Sequence, residues 1–244
     1  MRKMVKKAEQ NIFEFSHKPY MGREDFFVST CNEKAFMAVE SWPEWLYFAL
    51  CIYGPKGCGK SHLANLFAQK VMMNRTPIVA VQTIKAKSIK INNIEKLFTN
   101  SPCLIVENLS EDVDNEALFH LYNYYRDNGG NILFLAERAP AHIHFKLPDL
   151  SSRMNAVPAV EISTPDDEML NVLLFKFFND RQLKVSPEVL KFALHNMTRS
   201  FEYAQKLVAE SDRISLIKKS PVTIGIIKEA IELLDDNKQG DFFL

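Results

Sequence analysis

The run Gly54-Pro55-Lys56-Gly57-Cys58-Gly59-Lys60-Ser61 places glycine, lysine and hydroxyl side chains at the spacing G-x-x-x-x-G-K-[ST], a pattern suited to gripping phosphate. Glycines at 54, 57 and 59 let the backbone curl until its N–H groups point inward at phosphate oxygens, a conformation that a Cβ obstructs. Lys60 adds a point charge for the β- and γ-phosphates of a nucleotide, and the Ser61 hydroxyl is suited to hold Mg²⁺. A second candidate for the same site lies downstream. Cys103-Leu104-Ile105-Val106-Glu107 is an apolar run ending in an acid, the form in which nucleotide sites place a carboxylate beside Mg²⁺, here through a bound water.

These side chains need a frame, and the flanking sequence supplies one. Residues 46–53 (LYFALCIY) are continuously apolar, as expected for a strand buried on both faces. Residues 62–73 read as a helix with Leu63, Leu66, Phe67 and Val71 close to one face. The order strand, glycine loop, helix N-terminus adds the helix dipole to the anion site. Further strands are expected at 77–82 (PIVAVQ), 103–107, 132–136 (ILFLA) and 157–162, with helices at 33–40, capped by Asn32, and at 115–126, ending at Gly129-Gly130. Strands alternating with helices imply a mostly parallel sheet covered on both faces.

From residue 166 the period becomes purely helical: 166–181, 187–197, 200–217 and 223–234, with Pro187 and Pro221 at or near two of the starts. The expected organisation is a leader at 1–20, an α/β nucleotide-binding core at 21–164, a small all-α lid at 165–235 and a loose tail at 236–244.

Bulk composition narrows the function classes. Charged residues make up 25% and hydrophobic ones 47%, ordinary for a globular protein, and the longest apolar run, at 45–53, is far too short to span a bilayer. The basic start at 1–7 leads into no apolar signal region, so a cytoplasmic protein without membrane attachment is expected. Cys31, Cys51, Cys58 and Cys103 show no paired metal spacing and read as reduced, buried thiols. With 30 basic and 30 acidic residues the net charge is zero, which disfavours wholesale gripping of nucleic acid. The local cluster Lys85, Lys87 and Lys90 reads as a solvated face, with a nucleic-acid contact as the alternative.

Taken with its flanking boxes, the phosphate loop resembles a known family. The run from Gly54 to Ser61 followed by His62-Leu63 resembles the phosphate loop of the bacterial initiator DnaA and its relatives, which are P-loop AAA+ ATPases with a helical lid. Gly22-Arg23-Glu24-Asp25-Phe26-Phe27-Val28 resembles the family segment that passes over the adenine, which implies nucleotide contacts for Phe26 and Val28. Ala136-Glu137-Arg138-Ala139-Pro140 looks like the sensor after the fourth strand. Leu150-Ser151-Ser152-Arg153 resembles the box carrying the arginine finger, and Met197-Thr198-Arg199-Ser200-Phe201-Glu202 the box of the lid's sensor arginine. The resemblance covers about residues 10 to 235 and implies ADP or ATP with Mg²⁺ as ligands, with the cofactor set Gly54, Pro55, Lys56, Gly57, Cys58, Gly59, Lys60, Ser61 and His62.

Two departures choose among the relatives. DnaA carries a DNA-binding helix-turn-helix domain after its lid, whereas this sequence stops shortly after residue 235, so no direct sequence-specific DNA binding is expected by that route. The leader Gln10-Asn11-Ile12-Phe13-Glu14-Phe15 is placed like the glutamine-led peptide by which proteins of the Hda type dock on the DNA polymerase III sliding clamp, with Gln10, Ile12, Phe13 and Phe15 as the contacts. Gln239-Gly240-Asp241-Phe242-Phe243 is a second peptide of that form. The resemblance therefore implies a DnaA-related regulator of replication initiation that stimulates ATP hydrolysis by a DnaA partner in trans, together with the clamp. Self-association stays open.

In that picture Arg153 is the finger in trans and Arg199 the lid sensor, with a surface arginine in a loop and a salt bridge to Glu202 as the plain alternatives. The pair Glu107-Asn108 replaces the usual two acids or Asp-Asn, and Asn108 accepts no proton as a general base. Weak intrinsic hydrolysis and a nucleotide used as a latch are expected. A helicase loader of the DnaC or transposition-helper type, a P-loop small-molecule kinase and a non-enzymatic adaptor are the competing readings.

Overall fold

The computed structural model describes residues 26–74 and 80–240. Its α/β part runs α1 (Glu33–Glu40), β1 (Ala49–Tyr53), α2 (Lys60–Asn74), β2 (Gln82–Lys85), α3 (Ile94–Asn100), β3 (Cys103–Leu109), α4 (Asn115–Asp127), β4 (Asn131–Ala136), α5 (Pro148–Asn155) and β5 (Ala159–Glu161). Four helices follow: α6 (Asp167–Asp180), α7 (Pro187–Asn196), α8 (Phe201–Lys218) and α9 (Ile224–Gly240). The strands form one parallel sheet in the order β2-β3-β4-β1-β5. The parallel sheet expected from the alternation of strands and helices is therefore present.

Side-chain alternation explains why the sheet is covered twice. Ala49 and Cys51, Leu104 and Val106, and Ile132, Phe134 and Ala136 point into one buried cluster with α4 and α5. Leu50 and Ile52, Cys103 and Ile105, and Leu133 and Leu135 point the other way, into a cluster with α1 and α2. Helices α6 to α9 enclose a third cluster of their own around Leu174, Phe178, Leu207 and Ile227. Phe134 is fully buried in the first cluster. Phe134→Ala is expected to lower unfolding stability by about 3–5 kcal/mol in a denaturant titration, because the cavity adds to the lost transfer energy.

Several elements differ from the sequence expectation, for physical reasons. The first strand starts at Ala49, not at 46, since Leu46 is fully solvent-exposed. Of the second strand's expected range, 77–82, residues 77–79 lie outside the described residues. The strand itself is Gln82–Lys85, an edge strand alternating half-buried and exposed, paired with β3 from Gln82 opposite Leu104. Asn32 does not cap α1 with its side chain; its Oδ1 accepts from the Ser29 N–H and its Nδ2 donates to the Phe27 carbonyl, securing the incoming segment. Side-chain caps do form at Asp114, Asp166 and Ser200, which accept from the N–H groups of Ala117, Met169 and Tyr203. The tail expected from residue 236 is instead helical up to Gly240, with the Tyr203 hydroxyl donating to Asp235 just before it. Residues 241–244 lie outside the described residues.

Candidate functional site

The parallel order delivers the two candidate phosphate-site elements to the same end of the sheet. Strands β1 and β3 flank β4, so the loop after β1 and the acid at the end of β3 emerge at their carboxyl ends, where open α/β sheets bind ligands. Ser61, at the start of α2, donates to Glu107 Oε1 at 3.3 Å, which closes the gap between the two elements. A hydroxyl and a carboxylate side by side are hard oxygen donors of the kind Mg²⁺ takes.

Backbone geometry in the loop fits a phosphate. Gly57 and Gly59 have φ of +76° and +95°. Among the described residues, the N–H groups of Lys56, Gly57, Gly59 and Ser61 meet no backbone acceptor, whereas those of Gly54 and Cys58 donate to the Ala136 and Pro55 carbonyls. Free donors at a curled loop and a helix start are what an anion site requires. Lys60 folds back over the loop and donates to the carbonyls of Gly54 at 2.7 Å and Pro55 at 2.8 Å. Those bonds hold the ammonium over the loop.

The remaining loop residues do structural work. A Cβ on Gly54 would lie 2.4 Å from the Ile162 carbonyl, so the chain just after β5 and the loop can approach only through glycine. Cys58 is buried beneath the loop, and burial pushes its thiol up against the opposing pull of Lys60. Lys56 and Pro55 are exposed, and Lys56 faces Glu137 at 3.9 Å across the surface. His62 meets the Phe26 ring edge-on at 5.0 Å, and Phe26 in turn stacks on Phe36. A Cβ on Gly59 would be 3.6 Å from the Phe26 ring, so Phe26 borders the loop, while Val28 is exposed. Cys31, Cys51 and Cys103 are buried as well, and none of the four is in a disulfide.

The helical unit touches this loop. A Cβ on Gly57 would approach the Glu202 backbone nitrogen to 3.2 Å, at the first turn of α8. Gly57→Ala is expected to weaken phosphate binding and lower the melting temperature, whereas Gly129→Ala, at φ +71° with open space, carries only the backbone cost of about 1–2 kcal/mol. Paired thermal melts with and without ADP separate the two effects.

The two arginines are held differently. Arg199 forms a two-pronged pair with Asp167, at 2.8 Å through Nε and 2.9 Å through Nη2. Glu202, the partner suggested by its spacing, binds Lys206 instead, and that bond holds its carboxyl below the usual range, with Lys56 helping. Arg153 sits in the last turn of α5, a helix started by Pro148 at its first turn, and not in a loop. Its guanidinium carbon lies 4.9 Å above the Phe119 ring and 5.7 Å from that of Tyr122. Asp167, Phe119 and Tyr122 escape a sequence reading: an acid in a first helical turn and aromatics on a helix face read as caps and core.

Asn108, following Glu107, is exposed in the left-handed region at φ +57°, where the β3–β4 ladder shifts register. Gln10, Ile12, Phe13 and Phe15 lie outside the described residues, as do 241–243 of the second glutamine-led peptide. No cluster of metal-binding side chains occurs among the described residues, and no helix among them is long and apolar enough to cross a membrane.

The family model "Bacterial DnaA ATPAse domain" matches residues 18–159, more than half of the chain. The chain belongs to the bacterial DnaA ATPase-domain family. That makes it a replication-related protein of the nucleotide-binding AAA+ class. It is 22% identical over 241 residues to the chromosomal replication initiator protein DnaA of Clavibacter sepedonicus, covering 90% of this chain and 50% of that one. The chain thus spans half the length of that DnaA relative. An uncharacterized protein of Haemophilus influenzae is 25% identical over 187 residues, covering 75% of this chain and 80% of its own. In fold, domain III of Thermotoga maritima DnaA superposes with TM-score 0.74 at 24% identity, over 87% of this chain and 95% of that one. AMPPCP-bound DnaA from Aquifex aeolicus gives TM-score 0.64 at 19% identity over 89% and 69%. The RuvB Holliday junction branch migration motor of Thermotoga maritima gives TM-score 0.61 at 14% identity over 87% and 70%.

Proposed function

We propose that this DnaA-family chain binds ADP or ATP through residues 54–61, with Ser61 and Glu107 holding Mg²⁺, and acts on a separate DnaA initiator. In that reading it works with the DNA polymerase III sliding clamp and supplies Arg153 to ATP bound by DnaA. The observation that carries the nucleotide part is the Ser61–Glu107 contact beneath a loop with unengaged N–H donors. The AMPPCP held by the Aquifex aeolicus relative, an adenine nucleotide analogue, supports the same ligand class.

Weak turnover by this chain follows from its own residues. Glu107 is engaged with Ser61, and the next residue is an amide that takes up no proton. The bound nucleotide orders the loop against α8, which touches it at Gly57, and so serves as a latch between the α/β part and the helices. Arg199 serves as the sensor of that nucleotide. Arg153 contributes a cation where charge builds up on the transferring phosphoryl of the partner. The leader at 10–15 is the proposed clamp contact.

The deciding assay mixes ATP-loaded DnaA, DNA-loaded clamp and this chain and follows release of inorganic phosphate. Stimulation dependent on all three components is expected. Hydrolysis by DnaA that is unchanged when the chain is added sinks the reading.

A further inference from the structure

Two elements bring Arg153 to the surface, and both are tied to α4. The chain entering α5 is held where the Asn115 side-chain carbonyl accepts from the N–H groups of Lys146 at 2.8 Å and Leu147 at 3.4 Å. Leu150 and Met154, four apart on α5, are fully buried in the cluster that α4 lines. That leaves position 153, beside Met154, facing the exposed rim of α4. There the side chain meets Phe119 and Tyr122, one helical turn apart on α4.

The platform is itself braced. Tyr122 is buried, its hydroxyl is hydrogen-bonded to that of Tyr47, and its ring meets Phe48 edge-on at 4.8 Å. Burial, with the Tyr47 hydroxyl, raises the pKa of Tyr122, so its ring stays a neutral phenol with an electron-rich face. Phe119 is half-buried against the same cluster. Among the described residues no carboxylate pairs with Arg153. Arg199 offers the contrast, since Asp167 already engages two of its donors.

A guanidinium has two distinct kinds of surface. Its faces attract aromatic rings, and its edge carries five N–H donors suited to phosphate oxygens. Stacking uses the first and leaves the second. We propose that Phe119 and Tyr122 are positioning residues for Arg153: they hold the guanidinium by its face and so present its N–H edge to a phosphate oxyanion on a neighbouring subunit. The proposal rests on the reading of Arg153 as the group delivered in trans, and it names what aims that group. Preset aim matters because an arginine searching all its rotamers loses side-chain entropy at the moment of reaction, whereas a stacked one has already lost it.

The test uses the full chain with ATP-loaded DnaA and DNA-loaded clamp, and compares wild type with Phe119→Leu, Phe119→Tyr and Arg153→Ala. Phe119→Leu is expected to lower the maximal stimulated rate about tenfold, with the half-saturating concentration of the chain unchanged, as a lost cation–π hold on a partly buried arginine implies. Phe119→Tyr, which keeps the ring face, restores the rate. On an Arg153→Ala background Phe119→Leu causes no further loss. Phe119→Met, an unbranched apolar replacement, repeats the comparison if the leucine variant fails to fold. A normal rate in Phe119→Leu while Arg153→Ala is inactive overturns the positioning role alone. A further loss on the alanine background overturns it too. Full stimulation by Arg153→Ala overturns the underlying reading and the proposal with it.

Discussion

Arg153→Ala is expected to reduce the stimulated hydrolysis of ATP on a DnaA partner by on the order of a thousandfold, the scale on which arginines delivered in trans act. Its effect within the chain is small by comparison. The side chain lies at a surface rim, and losing its contact with Phe119 and Tyr122 costs about 1 kcal/mol of stability. ADP affinity of the chain itself stays at the wild-type value, because the phosphate loop gains and loses nothing. Arg153→Lys is expected to recover little, since an ammonium lacks the planar fork and stacks less well. A variant that stimulates like wild type would remove Arg153 from the chemistry altogether.

The second large effect is on nucleotide capture. Lys60→Ala removes an ammonium that donates to the carbonyls of Gly54 and Pro55. The bond to the Pro55 carbonyl is exposed and Lys60 belongs to none of the apolar clusters, so the fold is expected to survive. A charge-assisted hydrogen bond to phosphate is worth about 1.5–3 kcal/mol, which corresponds to roughly ten- to a hundredfold weaker ADP binding by calorimetric titration. The pairing of the two variants is informative. If Lys60→Ala loses both ADP and the stimulation of DnaA, the nucleotide is needed as a latch. If it loses ADP and still stimulates, the latch idea fails while the role of Arg153 stands. Unchanged ADP affinity would mean that the loop is not the nucleotide site.

Much of the fold and of the phosphate loop is legible in the sequence because the decisive signals are local. The loop at 54–61 announces itself through residue types whose spacing only a curled backbone needs, and the inner strands announce themselves as continuous apolar runs because both faces are covered. Strand β2 is displaced from its expected range for the converse reason. At the sheet edge its burial alternates, so QTIK looks polar, while the more apolar residues just before it attract the expectation. Helix α5 reads as a loop because its inner face is only Leu150 and Met154. Partner choice is the least legible feature. Spacing favours Glu202 for Arg199, yet Asp167, 32 residues away, has the geometry for both N–H groups, and nothing in a linear pattern marks that meeting. The stacking of Arg153 on α4 is hidden in the same way, because it depends on how two helices lie across each other.

In the sensor role proposed for Arg199, its pair with Asp167 changes what nucleotide binding means for this chain. A phosphate that recruits Arg199 cannot simply add a bond; it must take the arginine from a carboxylate that already satisfies two of its donors. Capture is then an exchange of one anion for another, and only the difference between the two shows up as affinity. The pair is exposed, with both side chains more than half accessible, so surrendering it costs little. By reciprocity, whatever loosens the grip of Asp167 tightens the hold on phosphate by the same factor, and a tightly held phosphate frees Asp167 at the start of α6. Under the proposed sensor role, occupancy of the loop is reported as a free charge on the first helix of the C-terminal unit.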